Sequence, residues 1–368
     1  MNKRRLSLAT LGVAAALAAN CAFAQSSVTL YGIADTSLRY ITNADAQGRD
    51  RVFMTNGAIT GSRWGLKGSE DLGDGLSTVF RLENGFNVQN GSFSSPGTEF
   101  NRMAYVGLSS SRYGVLTFGL QNTPLFDQLG DIYDPLTVGN YNQTEWLPVA
   151  LSAGLRNSNS VKYNGKFAGL NVEGMYAFGG VPGSFGAGNM YGFTVSYTLG
   201  GLSLDTGYQQ NSDQSNNKER VVNVSALYSI GKVKAYLGWL HSQDNTGNVD
   251  FLMFETGDVS NFDPAIKTRA NTNRIDDGFY AGTSWLVTAP LTLTVAAYYD
   301  RMRNALSSDG TLGRGNRYAL AGVAEYALSK RTEVYGEVDY NHANGAATVD
   351  LPSKNSQTGV SIGFRTSF

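Results

Sequence analysis

Two sets of charged side chains stand out in the first part of this sequence. The basic set is Arg39, Arg63, Arg81 and Arg102, and the acidic set is Glu83, Asp127, Asp131 and Asp134. Opposed fixed charges that line a narrow passage create a transverse electric field, which orders water and orients dipolar solutes. We expect these side chains to face one another across such a passage, and the elements that carry them must bring them there.

Residues suited to covalent or metal chemistry are scarce. Hydrolases generally need a histidine beside a nucleophile or a water-activating carboxylate. The only histidines are His241 and His342, each near the end of a predicted strand, and the only cysteine is Cys21, near the N-terminus. We therefore predict that the protein is not an enzyme and that it has no cofactor, no metal site and no disulfide.

The N-terminus has the features of an export signal. Basic residues precede an apolar stretch at 6–19, and the small-x-small triplet 22–24 follows it. This order is typical of a secretory signal peptide. We predict a signal peptide at 1–24, export through the Sec pathway and one mature domain at 25–368. Removal of the signal changes the formal net charge from −1 to −4, which argues against a nucleic-acid partner.

Most of the mature chain alternates between apolar and polar residues. In the stretch 291–300 the apolar positions begin with Leu291, Leu293 and Val295, and Thr292 and Thr294 lie between them. A period of two places alternate side chains on opposite faces of a β-sheet. The abundance of glycine (44) and the scarcity of proline (8) also favour a strand-rich protein.

Sixteen segments have this pattern. They are 27–42, 58–71, 76–89, 100–110, 114–121, 155–166, 169–179, 190–200, 201–212, 219–231, 232–244, 273–288, 290–304, 315–329, 331–342 and 356–367. Short turns alternate strictly with long polar connections, as they do in outer-membrane barrels. We predict an all-β fold, a sixteen-stranded antiparallel transmembrane β-barrel in the bacterial outer membrane. Its short turns and both chain ends should be periplasmic, and its long loops extracellular.

A barrel of this size leaves an aqueous channel, so its function depends on what narrows the channel. The third long connection, 122–154, is too apolar for a freely solvated loop. A loop with its own apolar anchors should pack against something. We expect it to fold into the lumen as a constriction loop, with its apolar side on the wall and Asp127, Asp131 and Asp134 towards the pore. The alternative is an external Ω-loop at a trimer interface.

Strand parity indicates which wall charges face the lumen. An arginine or lysine on the lipid side near the midplane would cost about 2–4 kcal/mol, so inward placement is favoured. In 58–71, Trp64 marks the lipid face and Arg63 the lumen, and in 76–89, Arg81 and Glu83 face inward. In 27–42, Asp35 and Arg39 face the lumen. In 100–110 the same argument places Met103 and Tyr105 outward and Arg102 inward.

Several fragments, taken in order, make the chain resemble the general porins of Gram-negative bacteria, most closely the betaproteobacterial and neisserial branch. The resemblance covers essentially the whole mature chain. The fragments are Val28-Thr29-Leu30-Tyr31-Gly32, Ser62-Arg63-Trp64-Gly65-Leu66-Lys67-Gly68, Asn101-Arg102-Met103-Ala104-Tyr105-Val106-Gly107-Leu108, Leu155-Arg156-Asn157-Ser158 and Gly363-Phe364-Arg365-Thr366-Ser367-Phe368.

The resemblance implies a homotrimer of sixteen-stranded barrels, in which Arg63 and Arg102 match two eyelet arginines and Glu83 an inward wall glutamate. The final Phe368 resembles the C-terminal signal that such barrels present to the barrel-assembly machinery. The chain departs from the enteric branch in two places: Ile33 stands where that branch has lysine, and Asp134-Pro135 lies near the loop tip instead of Pro-Glu-Phe-Gly-Gly. After the loop the first basic residue is Arg156, so a third eyelet arginine is not assigned and charge selectivity stays open.

The predicted function is a general diffusion porin, a water-filled channel for ions and small hydrophilic solutes. Further copies of the chain, outer-membrane lipid and lipopolysaccharide are its other expected partners. One alternative is a substrate-selective porin that prefers anions or carboxylates, which saturable block by one solute would favour. The others are a barrel enzyme and an adhesin-type barrel with ligand-binding surface loops.

Overall fold

Seventeen β-strands form one continuous antiparallel sheet. A computed structural model describes residues 27–137, 154–256, 270–351 and 354–368. The predicted signal peptide at 1–24 lies outside the described residues, as does the 138–153 part of the predicted constriction loop. Within the described ranges, no helix is long and apolar enough to cross a membrane.

The strands follow the predicted segments closely. They are β1 (Ser27–Ile41), β2 (Arg51–Thr55), β3 (Arg63–Gly73), β4 (Leu76–Gly85), β5 (Met103–Ser110), β6 (Gly114–Asn122), β7 (Arg156–Phe167), β8 (Leu170–Ala177), β9 (Met190–Leu199), β10 (Leu202–Ser212), β11 (Lys218–Ile230), β12 (Val233–Asp244), β13 (Arg274–Leu286), β14 (Leu291–Leu306), β15 (Leu312–Ala327), β16 (Thr332–Gly345) and β17 (Ser356–Ser367).

The sheet closes into a barrel because β1 pairs with the last strand, β17, as well as with its neighbours in sequence. Both β2 and β3 pair with β1: β2 lies along residues 37–41 and β3 along residues 27–33. They are two pieces of one barrel strand, so the barrel has sixteen strand positions. Closure removes the two free edges that an open sheet would expose to the bilayer. The predicted sixteen-stranded barrel is confirmed.

One segment of the predicted wall instead lies in the lumen. The predicted strand 58–71 begins only at Arg63, and residues 56–62 bend inward between β2 and β3. Polar contacts hold the bend: the Thr60 amide donates to Asp35 Oδ2 (3.0 Å), and the Ala58 amide donates to the Tyr335 hydroxyl (3.0 Å). Gly57 supplies the positive φ, 69°, that the turn needs. Parity could not predict this break, because the bend depends on partners from other strands.

The connections alternate in length around the barrel. Two-residue links such as 168–169 and 200–201 join strands at one end, whereas 86–102, 123–155 and 245–273 join them at the other. The short-turn end is the periplasmic one in barrels of this kind. Phe368 pairs there with β1. Its backbone N–H donates to the Gly32 carbonyl (3.0 Å), and its carbonyl accepts a hydrogen bond from the Gly32 N–H (3.1 Å).

The two faces of the wall differ as the alternation predicts. Outward side chains such as Leu237, Val295 and Leu320 are apolar and more than half exposed to the surroundings of the barrel. Inward side chains are largely polar or pack against segments inside the lumen. The parity assigned to 100–110 is wrong, because Met103 and Tyr105 line the lumen and Val106 and Leu108 are the outward residues.

Candidate functional site at the pore constriction

The third long connection enters the lumen directly after β6. A short helix spans Pro124–Gln128, and its start is capped by the Thr123 side chain, which accepts a hydrogen bond from the Phe126 amide (3.3 Å). Proline at the first helical position fits such a start, because its missing N–H has no partner there. One π-helical turn, Leu129–Tyr133, continues the helix and brings Asp131 to the surface of the loop.

Apolar side chains hold this loop against the wall. Leu125, Leu129 and Leu136 are almost fully buried, with 2%, 1% and 7% of their surface exposed. They belong to an apolar cluster that includes Tyr280 and Tyr298 of the barrel wall. The cluster lies inside the barrel and removes apolar surface from water, which favours docking of the loop. The described part of the third loop, 123–137, therefore lies inside the lumen, as predicted.

Polar contacts show which part of the wall the loop follows. The side-chain amide of Gln128 donates to the Glu173 carboxylate on β8 (2.7 Å). The Tyr133 hydroxyl lies 2.7 Å from Ser203 Oγ on β10. The Tyr298 hydroxyl of β14 donates to Asp134 (2.9 Å). The described part of the loop therefore lies along strands β8 to β14.

A small inward residue permits this close approach at β13. The ring of Pro135 lies where a side chain on Gly282 would begin, since a Cβ there would be 2.6 Å from Pro135 Cγ. Glycine is the residue type that lets the loop backbone approach a strand this closely.

Beside the described part of the loop lies a cavity of about 790 Å³, lined on the wall by strands β1, β3 to β7 and β17. Its charged lining consists of six cationic and three acidic side chains. The cationic ones are Arg63, Arg81, Arg102, Arg156, Lys162 and Arg365, and the acidic ones are Glu83, Asp127 and Asp131. The passage thus has a positive wall and a loop with carboxylates, which is the arrangement that creates a transverse field.

Glu83 organises the centre of the positive wall. Its carboxylate accepts hydrogen bonds from Arg81 (2.6 Å), Arg102 (2.7 Å) and the Tyr31 hydroxyl (2.7 Å). The Tyr31 hydroxyl also accepts from Arg81 Nε (2.6 Å). Only 1% of the Glu83 side chain is exposed, so the pairs are shielded from water. Charge-assisted bonds of this kind fix the two guanidinium groups in position.

Lys162 on β7 is neutralised at the edge of the loop. Its ammonium group forms ion pairs with Asp127 of the loop helix and with Glu173 of β8, the latter at 3.2 Å. Asn122 donates a second hydrogen bond to the Asp127 carboxylate (2.7 Å). These contacts hold Asp127 against the wall beside the loop, and its ion pair with Lys162 neutralises most of its negative charge.

Two arginines of the cavity have no ion-pair partner in the part of the chain that the structure describes. Among the described residues, neither Arg63 on β3 nor Arg156 on β7 forms an ion pair. Arg156 stacks its guanidinium over the Phe126 ring of the loop, 5.4 Å from the ring centroid. Such a contact orients a cation without neutralising it.

Asp131 faces this unneutralised charge from the loop. Burial raises the pKa of its carboxyl group above the ordinary range, and the neighbouring Asp127 raises it further. The positive charges of Arg63, Arg156 and Arg102 act in the opposite direction. The net effect is that the pKa of the Asp131 carboxyl group is raised, so on acidification it gains a proton before an ordinary aspartate does.

The predicted site residues divide into two groups. Six of them line the cavity together: Arg63, Arg81, Arg102, Glu83, Asp127 and Asp131. Arg39 and Asp134 do not. Arg39 lies in a buried ion-pair network, with Glu337 at 2.8 Å and Asp339 at 2.5 Å, and Asp134 accepts from Tyr298 on the far wall.

Sequence reasoning missed three cations of the cavity, one of which is Arg365 near the end of β17. Lys162 has the inward parity of β7, opposite the outward Val161, so the alternation could have identified it. Arg156 is the first residue of β7, where parity is weakest, and its place beside Arg63 depends on closure of the barrel. The histidines lie elsewhere: His241 and His342 have outward parity near the long-loop end of β12 and β16.

Comparison with known proteins shows the family of this chain. Residues 9–346 match the profile of the Gram-negative porin family. The chain belongs to this family. An outer membrane porin protein of Bordetella pertussis is 33% identical over 268 residues, which cover 64% of this chain and 69% of that protein. Outer membrane porin protein 32 of Delftia acidovorans is 28% identical over 393 residues and covers both chains completely.

Among solved structures, the anion-selective porin from Comamonas acidovorans has the same fold, with a TM-score of 0.74. It is 24% identical and covers 94% of this chain and 100% of that one. The porin is thus an outer-membrane protein of Gram-negative type, and its water-filled barrel passes ions and small hydrophilic solutes by diffusion.

Proposed function

We propose that this porin is a general diffusion channel with a preference for anions, and that Arg63 and Arg156 set the preference. The observation that carries the proposal is the absence of an ion-pair partner for these two side chains among the described residues. Arg81 and Arg102 share Glu83, and Lys162 is matched by Asp127 and Glu173. Arg365 pairs with Glu325 and Glu333, and Asp131 faces Arg63 and Arg156 without an ion pair. The positive charge of the lining that no ion pair neutralises therefore lies on Arg63 and Arg156.

A net charge of this size biases permeation without blocking cations. A unit charge about 7 Å from an ion in water contributes roughly 0.6 kcal/mol, which changes the local ion concentration about threefold. Two arginines without ion-pair partners, faced by the single carboxylate of Asp131, therefore support a modest preference for chloride over potassium. Salt screens this interaction over about 10 Å at 0.1 M, so the preference should weaken at high ionic strength.

The test is the reversal potential of single channels in a planar bilayer under a potassium chloride gradient. Wild-type protein should give a potential of the sign for chloride preference, and R63Q/R156Q should bring it close to zero. Arg49→Gln, which removes an exposed arginine of the 42–50 loop, is the matched control and should behave as wild type. Cation preference in the wild type, or equal effects of the control, would refute the assignment.

The same recordings examine the substrate-selective alternative. A dedicated site binds its solute tightly, so small dicarboxylates at low concentration should block the current in a saturable way if such a site exists. A porin that acts mainly as a sieve should instead show block that grows linearly over the accessible concentrations. The polar lining and the 790 Å³ volume of the cavity support the sieve.

We also propose that the porin assembles as a homotrimer through the outer face of β1 and β2. The apolar surface extends there to the end of the strands, with Val52 63% and Met54 55% exposed opposite Tyr40 and Leu38. Apolar patches of this kind mark protein contacts when they lie at the water boundary. Native mass spectrometry of the folded protein should give the trimer mass, and Val52→Glu/Met54→Glu should yield monomers.

The remaining predictions about processing and chemistry are proposals of the same kind. Cleavage of a signal peptide at 1–24 should leave Gln25 as the N-terminus, which intact-mass measurement of the outer-membrane form checks. A channel without catalysis is supported by the outward position of His241 and His342, away from the cavity. Lipase or protease activity that either histidine substitution abolishes would contradict it.

A further inference from the structure

A row of aromatic side chains crosses five neighbouring strands on the outer face of the barrel. The strand register places its members directly opposite one another, in the order Trp239, Phe279, Tyr299, Tyr318 and His342. Phe279, Tyr299 and Tyr318 are 45%, 40% and 36% exposed. Aromatic side chains with a polar edge collect at the boundary between hydrocarbon and headgroups, so this row marks the outer membrane interface.

The outer face becomes charged one position beyond this row, towards the long-loop end. The next row is His241, Asp277, Arg301, Asn316 and Asn344. One position further, Arg303 and Arg314 face each other across β14 and β15. On the hydrocarbon side of the aromatic row, Leu237 and Leu320 are outward and apolar. The three arginines therefore lie at headgroup depth and point away from the pore.

These arginines line a cavity of about 430 Å³ with too little negative charge around it. Asp277 is the carboxylate beside them: Arg301 contacts it at 3.1 Å and Arg303 at 3.7 Å, and His241 Nδ1 is 2.8 Å away. Among the described residues, Arg314 has no ion pair. Like charges directly opposite in a sheet destabilise it, as at Arg303 and Arg314. The three arginines thus have a single carboxylate, Asp277, beside them, and an anionic ligand would balance the remaining positive charge.

We propose that this cavity binds a phosphate group on the headgroup of an outer-leaflet lipid, the chemistry that the phosphorylated lipid A part of lipopolysaccharide presents. Guanidinium groups suit phosphate because their planar fork donates two parallel hydrogen bonds to its oxygens. The amide side chains of Asn316 and Asn344 and the hydroxyl of Tyr299 complete a polar lining.

The position favours a lipid over a dissolved anion. The cavity opens on the lipid-facing surface directly beside the aromatic row, so an acyl chain attached to the phosphate would continue over Tyr299 and the apolar row below it. Side chains of Arg301 and Arg303 keep 58% and 44% of their surface exposed, which leaves room for a headgroup. The inference is independent of the anion preference proposed for the pore.

The experiment measures lipid binding to the folded, full-length mature porin by native mass spectrometry in detergent. Three probes are titrated separately: bis-phosphorylated lipid A, the same lipid A with both phosphates removed, and inorganic phosphate. The wild type should bind phosphorylated lipid A at least about tenfold more tightly than the dephosphorylated form. Binding should weaken as salt is raised.

The variant R301Q/R303Q/R314Q should lose this difference, whereas R220Q should keep it. Arg220 is the matched control, because it is an exposed outward arginine near the long-loop end of β11 and does not line the cavity. If the triple variant does not fold, R303Q should still show a several-fold loss of the preference. All variants should keep the wild-type conductance and reversal potential, so a defect of the pore itself is recognised separately.

Two results would overturn the proposal. The first is equal affinity of the wild type for the two forms of lipid A, or unchanged binding by the arginine variants. The second is full displacement of lipid A by inorganic phosphate at matched phosphate concentration, which would assign the cavity to a free anion.

Discussion

Replacement of Leu129 by aspartate tests whether apolar burial holds the constriction loop in the pore. Leu129 lies in the π-helical turn of the loop and has 1% of its surface exposed. The substitution removes a buried leucine side chain, worth about 1.5–3 kcal/mol. It also places a carboxylate in an apolar cluster, which costs several kcal/mol more unless the loop moves. The total is about 5 kcal/mol, or between three and four orders of magnitude in the docked population.

The cost arises only while the aspartate is buried, so we expect the loop to detach from the wall. The barrel itself should stay folded, because Leu129 is not part of any strand. Single-channel conductance should then rise, and the current should fluctuate more. Liposome-swelling assays should show faster uptake of larger sugars. The folded state of the barrel is checked separately by heat-modifiable migration on an SDS gel, which should match that of the wild type.

Ile132→Asp is the control, since it adds the same charge to the same turn at a position that is 42% exposed. It should change charge selectivity but leave conductance and sugar size limits close to the wild type. Wild-type conductance of the Leu129 variant would refute the view that apolar contacts dock the loop. An equal increase in both variants would show that added charge, rather than undocking, is responsible.

Three further substitutions address the positive wall, the loop carboxylate and the barrel seam. Glu83→Gln removes the carboxylate that Arg81 and Arg102 share. It should increase anion preference, which reversal potentials measure. It should also lower the free energy of unfolding by about 2 kcal/mol, which urea titration measures. Acidification should increase anion preference before ordinary aspartates titrate, because the pKa of Asp131 is raised and protonation removes its negative charge; Asp131→Asn should flatten this pH dependence of the reversal potential. Gly32→Ala should reduce the yield of folded barrel, since its Cβ would lie 2.3 Å from the Phe368 ring that covers the seam, whereas Gly174→Ala, with open space around it, should assemble normally.

Alternation predicted the wall well where a strand is regular and long. In β3 and β4 the inward positions of Arg63, Arg81 and Glu83 follow from the alternation, because each lies next to an apolar residue that faces outward, such as Trp64 beside Arg63. The same argument failed in 100–110, because β5 begins at Met103 and Arg102 precedes it. The direction of Arg102 is set by the preceding loop and by its bond to Glu83, not by the pleat of the strand.

The apolar content of the third loop predicted that it would dock, but not where. Its partners, Glu173, Ser203 and Tyr298, come from strands far along the chain, and a single sequence contains no record of such pairs. Arg156 is a similar case. It reaches the cavity because the loop returns to the wall beside β6, where Thr123 N–H donates to the Leu155 carbonyl (3.1 Å).

The inward bend at 56–62 shows why strand number alone does not determine pore width. Ala58 and Ile59 have 1% and 6% of their surface exposed, and they share one apolar cluster with Leu125 and Leu129 of the constriction loop. The lumen is therefore filled from two parts of the chain that meet inside it. The sequence does not show which way the apolar pair Ala58 and Ile59 faces, because lipid and a segment inside the lumen both select apolar residues. The structure shows that the pair faces the lumen, since the neighbouring backbone amides donate to Tyr335 and Asp35 on the inner face.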